Sequence, residues 1–302
     1  MGDREKNAVR QRWVLPGGLL FWCIIGAMLA YSWLVLWVDN HYFPAAKLMQ
    51  VDAAMYTSAI IGLLLAFRTN SAYERWWEGR RLWGQLLNEI RNLCLKATTL
   101  VTLDGSERQE LTGVLSTFPL ALRDHLRGKA FDLVDLGLVP EQSRVEHAPA
   151  YLAHRLYACL ACWRDKGSID GFDRMMFDVH ARSLMDICGG CERILRSPIA
   201  GSYKLLIWHG LGLYLLTLPW LLVPIIHEWA VLVAVIGSYF VIALELLAEE
   251  VEEPFGTQAN DLPLDSISEV VRGSVAYLLG SEEIAGPRTA GGNEPGLKRL
   301  PD

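Results

Sequence analysis

The sequence predicts an all-α membrane protein in which four transmembrane helices carry a helical cytoplasmic region. Three observations lead there. Apolar segments of about bilayer length occur toward both ends of the chain, against the ~20 residues that a spanning helix needs. The stretch between them is polar but repeats its apolar residues every three or four positions, and no stretch alternates at the period of a strand. Composition agrees: 52% hydrophobic and 21% charged residues in 302, with a mean hydropathy of +0.21, suit a chain divided between lipid and water. The net charge of -6 and the lack of a basic stripe with interleaved aromatics exclude nucleic acid as a partner.

Residues 1–12 form a cytoplasmic segment with Arg4, Lys6, Arg10 and Arg12, and residues 13–67 hold the first two spans. Trp13 to Val38 carries no charge and is read as a retained anchor, since its apolar run is too long for a cleaved signal peptide. The second span, Ala53 to Phe67, has only fifteen residues, and Ala53, Ala54, Thr57, Ser58, Ala59 and Gly62 are small or hydroxylated. Leu205 to Ile226, with His209 as its one ionisable group, and Trp229 to Leu247, with Glu245 near its end, complete the set within residues 205–247. Nineteen Lys and Arg lie in 68–204, one in 39–52, and none in the His227-Glu228 turn. The positive-inside rule then puts both termini and the middle region in the cytoplasm, with the chain passing the membrane four times.

Residues 68–204 read as helices. Trp76, Trp83, Leu86, Leu87, Ile90, Leu93 and Cys94 form one buried stripe on a helix that runs on from the second span to about Thr99. Ser106 with Gln109 reads as a capping box for a helix through Arg127; 131–147 reads as a loop, and further helices fall near 148–166 and 171–195. Ser266 with Glu269 reads as a second capping box within the cytoplasmic segment 248–280, and 281–302, rich in Gly and Pro, as a disordered tail.

Little catalytic chemistry is offered: no phosphate loop, nucleophile elbow or HExxH motif occurs, and the Asp-His neighbours in "RDHLRGK" (123–129) and "FDVHAR" (177–182) read as surface pairs. No enzyme and no cofactor are expected. Cys159, Cys162, Cys188 and Cys191 give two C-x2-C pairs 25 residues apart, wider than the ~15–20 of zinc ribbons and set in helical sequence, so they read as buried thiols. Glu249, Glu250, Glu252 and Glu253 read as a solvated helix end or an intersubunit salt-bridge surface.

A span too short and too polar for lipid fits at membrane depth where other spans shield it or where it lines a water-filled path. Ala59, Leu63 and Phe67 recur every four residues on one face of the second span, with Gly62 and Ala66 beside them. A ring of such helices makes an apolar constriction able to gate by dewetting; ordinary helix packing produces the same row. On this reading Arg68 meets water just below Phe67.

Three segments, "FRTNSAYERWWEGRRLWGQL" (67–86), "CERILRSPI" (191–199) and "EEVEEPFGTQANDLPLD" (249–265), resemble the hallmark segments of the bestrophin family in its prokaryotic branch. The resemblance runs from about Trp13 to Gly280 and rests most on Arg75-Trp76-Trp77 and Pro254-Phe255-Gly256. It implies a homopentameric channel for small monovalent ions, chloride or sodium, with the neck of its axial pore at Ala59, Leu63 and Phe67. It also implies a second, cytoplasmic aperture on the 171–195 helix, for which Phe177, Val179 and Leu184 are candidates. Two departures stand out: Ala59 is smaller than the family's usual neck residue, and after Gly256 only Asp261 is acidic where animal members bind calcium, so no metal is expected. A non-conducting membrane scaffold or a membrane-anchored enzyme would share the same spans.

Overall fold

The structure, a computed structural model, describes residues 18–42, 50–133 and 145–280, and side chains for these except Leu20 and residues 50–54. The predicted segments 1–12 and 281–302 lie outside the described residues, as does most of the loop assigned to 131–147. All regular structure described is helical: α1 (Gly18–Tyr42), α2 (Gln50–Leu100), α3 (Gly105–Leu126), α4 (Ala148–Asp165), α5 (Gly171–Arg196), α6 (Gly201–Ile226), α7 (Trp229–Glu252) and α8 (Leu264–Gly280). The chain divides into two compact units, one within Met1–Gly84 and Gly189–Leu264, the other within Gln85–Cys188 and Asp265–Asp302. As predicted, α2 runs without interruption from the apolar segment into the charged one, over 51 residues.

In the first unit α1 packs on α6 and α7, and these two on each other. Phe21 of α1, Ile61 and Leu65 of α2, Ile207 and Leu211 of α6 and Ile242 of α7 form one core cluster; Val35, Leu36, Val223, Ala230 and Val231 form a second. Among the described residues, three helices are long and apolar enough to cross a membrane: Phe21–Tyr42, Gly201–Ile226 and Trp229–Glu252. Their outer faces expose Trp22, Trp33, Leu213, Leu216, Leu232, Ile236 and Phe240, a run of large apolar side chains suited to lipid or to another chain. Pro219 and Pro224 lie inside α6. Near the first of them α1 is tied to α6: the Tyr31 hydroxyl donates to the Leu216 carbonyl at 2.7 Å and accepts from Trp220 Nε1 at 2.8 Å.

In the second unit α3 packs on α4. Leu111, Val114, Leu115, Phe118 and Leu122 of α3 are buried, as are Leu152, Leu156, Leu160 and Trp163 of α4. The N-cap of α3 is Asp104, not Ser106. Its carboxylate accepts the Glu107 N–H at 2.7 Å, Glu107 Oε2 accepts the Asp104 N–H at 3.1 Å, and Ser106 donates its hydroxyl to Asp104 at 2.7 Å. A carboxylate is the stronger acceptor and suits the positive end of the helix dipole, so it displaces the hydroxyl from the cap. Likewise α8 already begins at Leu264, which puts Ser266 in its first turn.

The six cysteines are thiols rather than disulfides. The glycines of "CGGC" serve packing: a Cβ on Gly190 would lie 3.0 Å from Leu82 Cδ1, so its absence lets α5 approach α2 closely within the first unit. Burial pushes the Cys94 and Cys159 thiols up to about 12. At pH 8 that leaves about one part in 10⁴ as thiolate, the reactive form. Maleimide labelling of the native protein at pH 8 should therefore modify exposed Cys162 well before Cys94 and Cys159, as read by mass spectrometry of peptides.

Candidate functional site

At roughly 100° per residue, α2 separates its apolar row from its packing face. Ile61, Leu65, Arg68 and Ala72 are buried. On the other side Ala59, Gly62, Leu63, Ala66 and Phe67 are exposed, with Leu63 at 57% and Phe67 at 58% of their full accessibility. The three residues singled out from the sequence thus share one uncovered, uncharged face of the chain. Such a face offers ions no ligands and water no hydrogen bonds, so its chemical effect is exclusion.

Arg68 does not meet water. It is fully buried, its Nε 3.3 Å from Glu245 Oε1 and its Nη2 2.8 Å from Glu252 Oε2. Lys204 Nζ lies 3.0 Å from Glu252 Oε2, and the Ile199 N–H donates to Glu252 Oε1 at 3.1 Å. Two cations and two carboxylates cancel. The reason is angular: Phe67 and Arg68 are neighbours in sequence but about 100° apart around the helix, so one points out and the next points toward α7. Glu252, expected at a solvated helix end or an intersubunit salt-bridge surface, is buried in this cluster, while Glu249 and Glu253 are exposed. A signal for the cluster existed, since Glu245 and Glu252 are seven residues apart and so share a face of α7, but nothing local tied them to Arg68. His209 is exposed on α6.

Two turns further along α2 the Arg-Trp-Trp motif holds two helix ends and a loop. Arg75 donates from Nε to the Glu252 carbonyl at 3.1 Å, from Nη2 to the Ile194 carbonyl at 2.7 Å, and from Nη1 to the Ser197 carbonyl. It thereby serves carbonyls at the C-terminal ends of α7 and α5, which a helix cannot satisfy internally and where a cation is favoured. Trp76 Nε1 donates to the Asn260 carbonyl at 3.0 Å, whereas Trp77 is half exposed. The loop after α7 folds on itself: the Leu262 N–H donates to the Pro254 carbonyl at 2.9 Å, and the Gln258 N–H to Asp261 Oδ2 at 2.5 Å. A Cβ on Gly256 would stand 2.6 Å from that same oxygen, and one on Gly79 would stand 3.1 Å from the ring of buried Phe255. Pro254, Phe255 and Gly256 thus pack in this loop, and one oxygen of Asp261, the lone acidic residue of the degenerate calcium segment, is used as a loop staple.

The three aperture candidates separate. Phe177 and Leu184 are 1% and 0% exposed; Phe177 meets Trp163 edge-on at 5.7 Å. These two side chains are packed into the core of their own chain. Val179 is 57% exposed, beside exposed Met175 and Met176. Helical phase explains the split, because residues 177 and 184 are two turns apart on one face and 179 lies about 200° away. The Asp-His neighbours are not mutual pairs either: His180 Nδ1 is 2.5 Å from Glu89 Oε2, Asp178 accepts from the Tyr157 hydroxyl at 3.2 Å, Arg123 grips Asp124, and the His125 ring lies against that of His147.

A family model described as Bacterial/Fungal Bestrophin protein matches residues 20–277. A voltage-dependent anion channel-forming protein of Ralstonia nicotianae is 32% identical over 279 residues, covering 90% of this chain and 89% of the relative. A protein of the same description from Synechocystis is 30% identical over 260 residues, covering 83% and 84%. Among solved structures, a bacterial bestrophin homolog from Klebsiella pneumoniae matches with a TM-score of 0.80 over 86% of this chain and 99% of its own, at 24% identity, a likeness of fold.

Removing one member of a buried ion pair strands the others, at a typical cost of about 3–5 kcal/mol. Arg68→Met should therefore lower the melting temperature of the detergent-purified protein markedly. Combining it with Glu245→Gln should recover part of the loss, because Lys204 and Glu252 then remain matched. An unchanged melting temperature for Arg68→Met would contradict its burial.

Proposed function

The chain belongs to the bestrophin family of bacterial and fungal proteins, and from that membership we propose that it is an anion-conducting channel of the bacterial inner membrane. Its assembly is a homopentamer around an axial pore, each chain crossing the bilayer four times with both termini in the cytoplasm. The neck of the pore is the row Ala59, Leu63 and Phe67 of α2. The observation that carries this reading is the division of α2 into an uncovered apolar face and a face pinned by Arg68 and Arg75. The description of the relatives as voltage-dependent anion channel-forming proteins favours chloride over sodium as the conducted ion.

In this mechanism the neck conducts when wet and closes when dry. Leu63 and Phe67 present bulky apolar surface, while Ala59 leaves the uppermost ring wider. Water confined between apolar walls loses hydrogen bonds, so a small change in radius decides whether the column persists. Of the three candidates on α5, exposed Val179 is assigned to the cytoplasmic aperture. Each subunit holds its own α2 through the Arg68 cluster, so the neck opens through movement of helices rather than rotation of one side chain.

Purified protein in planar bilayers under a chloride gradient tests the proposal. Reversal potentials should lie toward the chloride equilibrium potential, and Leu63→Ala or Phe67→Ala should raise flux severalfold by widening the constriction. Absence of flux at every salt and voltage, or a monomeric mass in mild detergent, would overturn the channel; unchanged conductance in both variants would overturn the neck.

A further inference from the structure

The face of α2 that carries the neck continues past it. Taking Ala59 as origin and roughly 100° per residue, Leu63 and Phe67 fall at about 40° and 80°, and Asn70 and Glu74 at about 20° and 60°. Both lie inside the arc of the neck, some 4.5 and 10.5 Å beyond Phe67 at 1.5 Å per residue. Both are exposed. The Asn70 amide donates to Glu74 Oε1 at 2.8 Å, which turns the carboxylate back along the helix toward Phe67.

Glu74 is the first fixed charge on this face below three uncharged rings, and among the described residues no Lys or Arg pairs with it. The nearby cations are committed or distant: Arg68 to Glu245 and Glu252, Arg75 to backbone carbonyls, Arg193 to Glu78. Exposed Arg80 and Arg81 lie a further ~9 and ~10.5 Å along the axis, about one Debye length at 0.1 M salt, and of the two Arg81 alone shares the azimuth of the neck.

We propose that Glu74, oriented by Asn70, is a specificity-determining residue that draws small cations to the cytoplasmic mouth of the neck and holds anions back there. The inference rests on the reading of α2 as the neck helix. Repeated around an axis, the carboxylate makes a ring of one sign in a confined passage, and such a passage concentrates counter-ions about 10-fold or more. The apolar neck discriminates by hydration alone, so the charge at its entrance decides which ions are present to attempt it. In an anion-conducting channel Glu74 acts as a brake.

The test measures reversal potentials under asymmetric potassium chloride for wild type, Glu74→Gln, Glu74→Asp and Asn70→Ala. In dilute salt Glu74→Gln should raise the anion-to-cation permeability ratio by about 3-fold or more, a cautious share of that concentrating effect. Glu74→Asp should keep the wild-type ratio, and Asn70→Ala should fall between. In the wild type the ratio itself should rise as salt increases from about 0.01 to 1 M, since the Debye length contracts from about 30 to 3 Å. This last measurement needs no variant, so poor folding of Glu74→Gln does not shield the proposal. An unchanged ratio in Glu74→Gln, an equal shift in Glu74→Asp, or a wild-type ratio indifferent to salt would overturn it. If Phe67→Ala alters flux in the same membranes, that failure belongs to Glu74 alone; if the wild type passes no current, the neck reading and this inference fall together.

Discussion

A fully buried arginine beside an exposed phenylalanine is the constraint on which the first unit depends. Arg68 is acceptable inside only because Glu245 and Glu252 meet it from α7 and Lys204 balances the remaining charge. An unpaired charge in that setting would cost several kcal/mol, so α2 has one rotational setting relative to α7 and no cheap alternative. That setting leaves Leu63 and Phe67 uncovered. The pairing therefore does more than hold two helices together: it decides which face of α2 is left for another use.

The same helix takes up the ends of others in turn. After Arg68 binds α7, Arg75 caps the ends of α5 and α7, Trp76 holds the loop after α7, and Gly79 makes room for Phe255 in that loop. The contacts of Arg75, Trp76 and Gly79 are made to backbone or to a packed ring, which explains why the residue types are so particular. A lysine in place of Arg75 would have one ammonium for three carbonyls in different directions. The motif read from the sequence as a family hallmark is, physically, a device for ordering chain ends around one long helix.

Several features were legible in the residues themselves. The continuity of α2 followed from the lack of any breaker between its apolar and charged parts, and the row Ala59, Leu63, Phe67 followed from spacing. The spans α1, α6 and α7 followed from apolar runs long enough to cross lipid. Local competition was harder to read. Ser106 has the usual capping pattern, yet Asp104 wins because its carboxylate is the better acceptor at a helix start. Phe177 and Leu184 suit a constriction by residue type, but their helical phase turns them into the core against partners such as Trp163.

By itself the sequence determined the helices, their lengths, the apolar row and the family, because those depend on periodicity and on residues near one another in the chain. Only the tertiary structure decided where charge goes. Arg68 and Glu252 are 184 positions apart, and whether each is solvated or buried depends on the partner that folding brings to it. Pattern predicts which residues share a face, but the neighbours that cover or bare that face come from distant parts of the chain, and burial is a property of the pair.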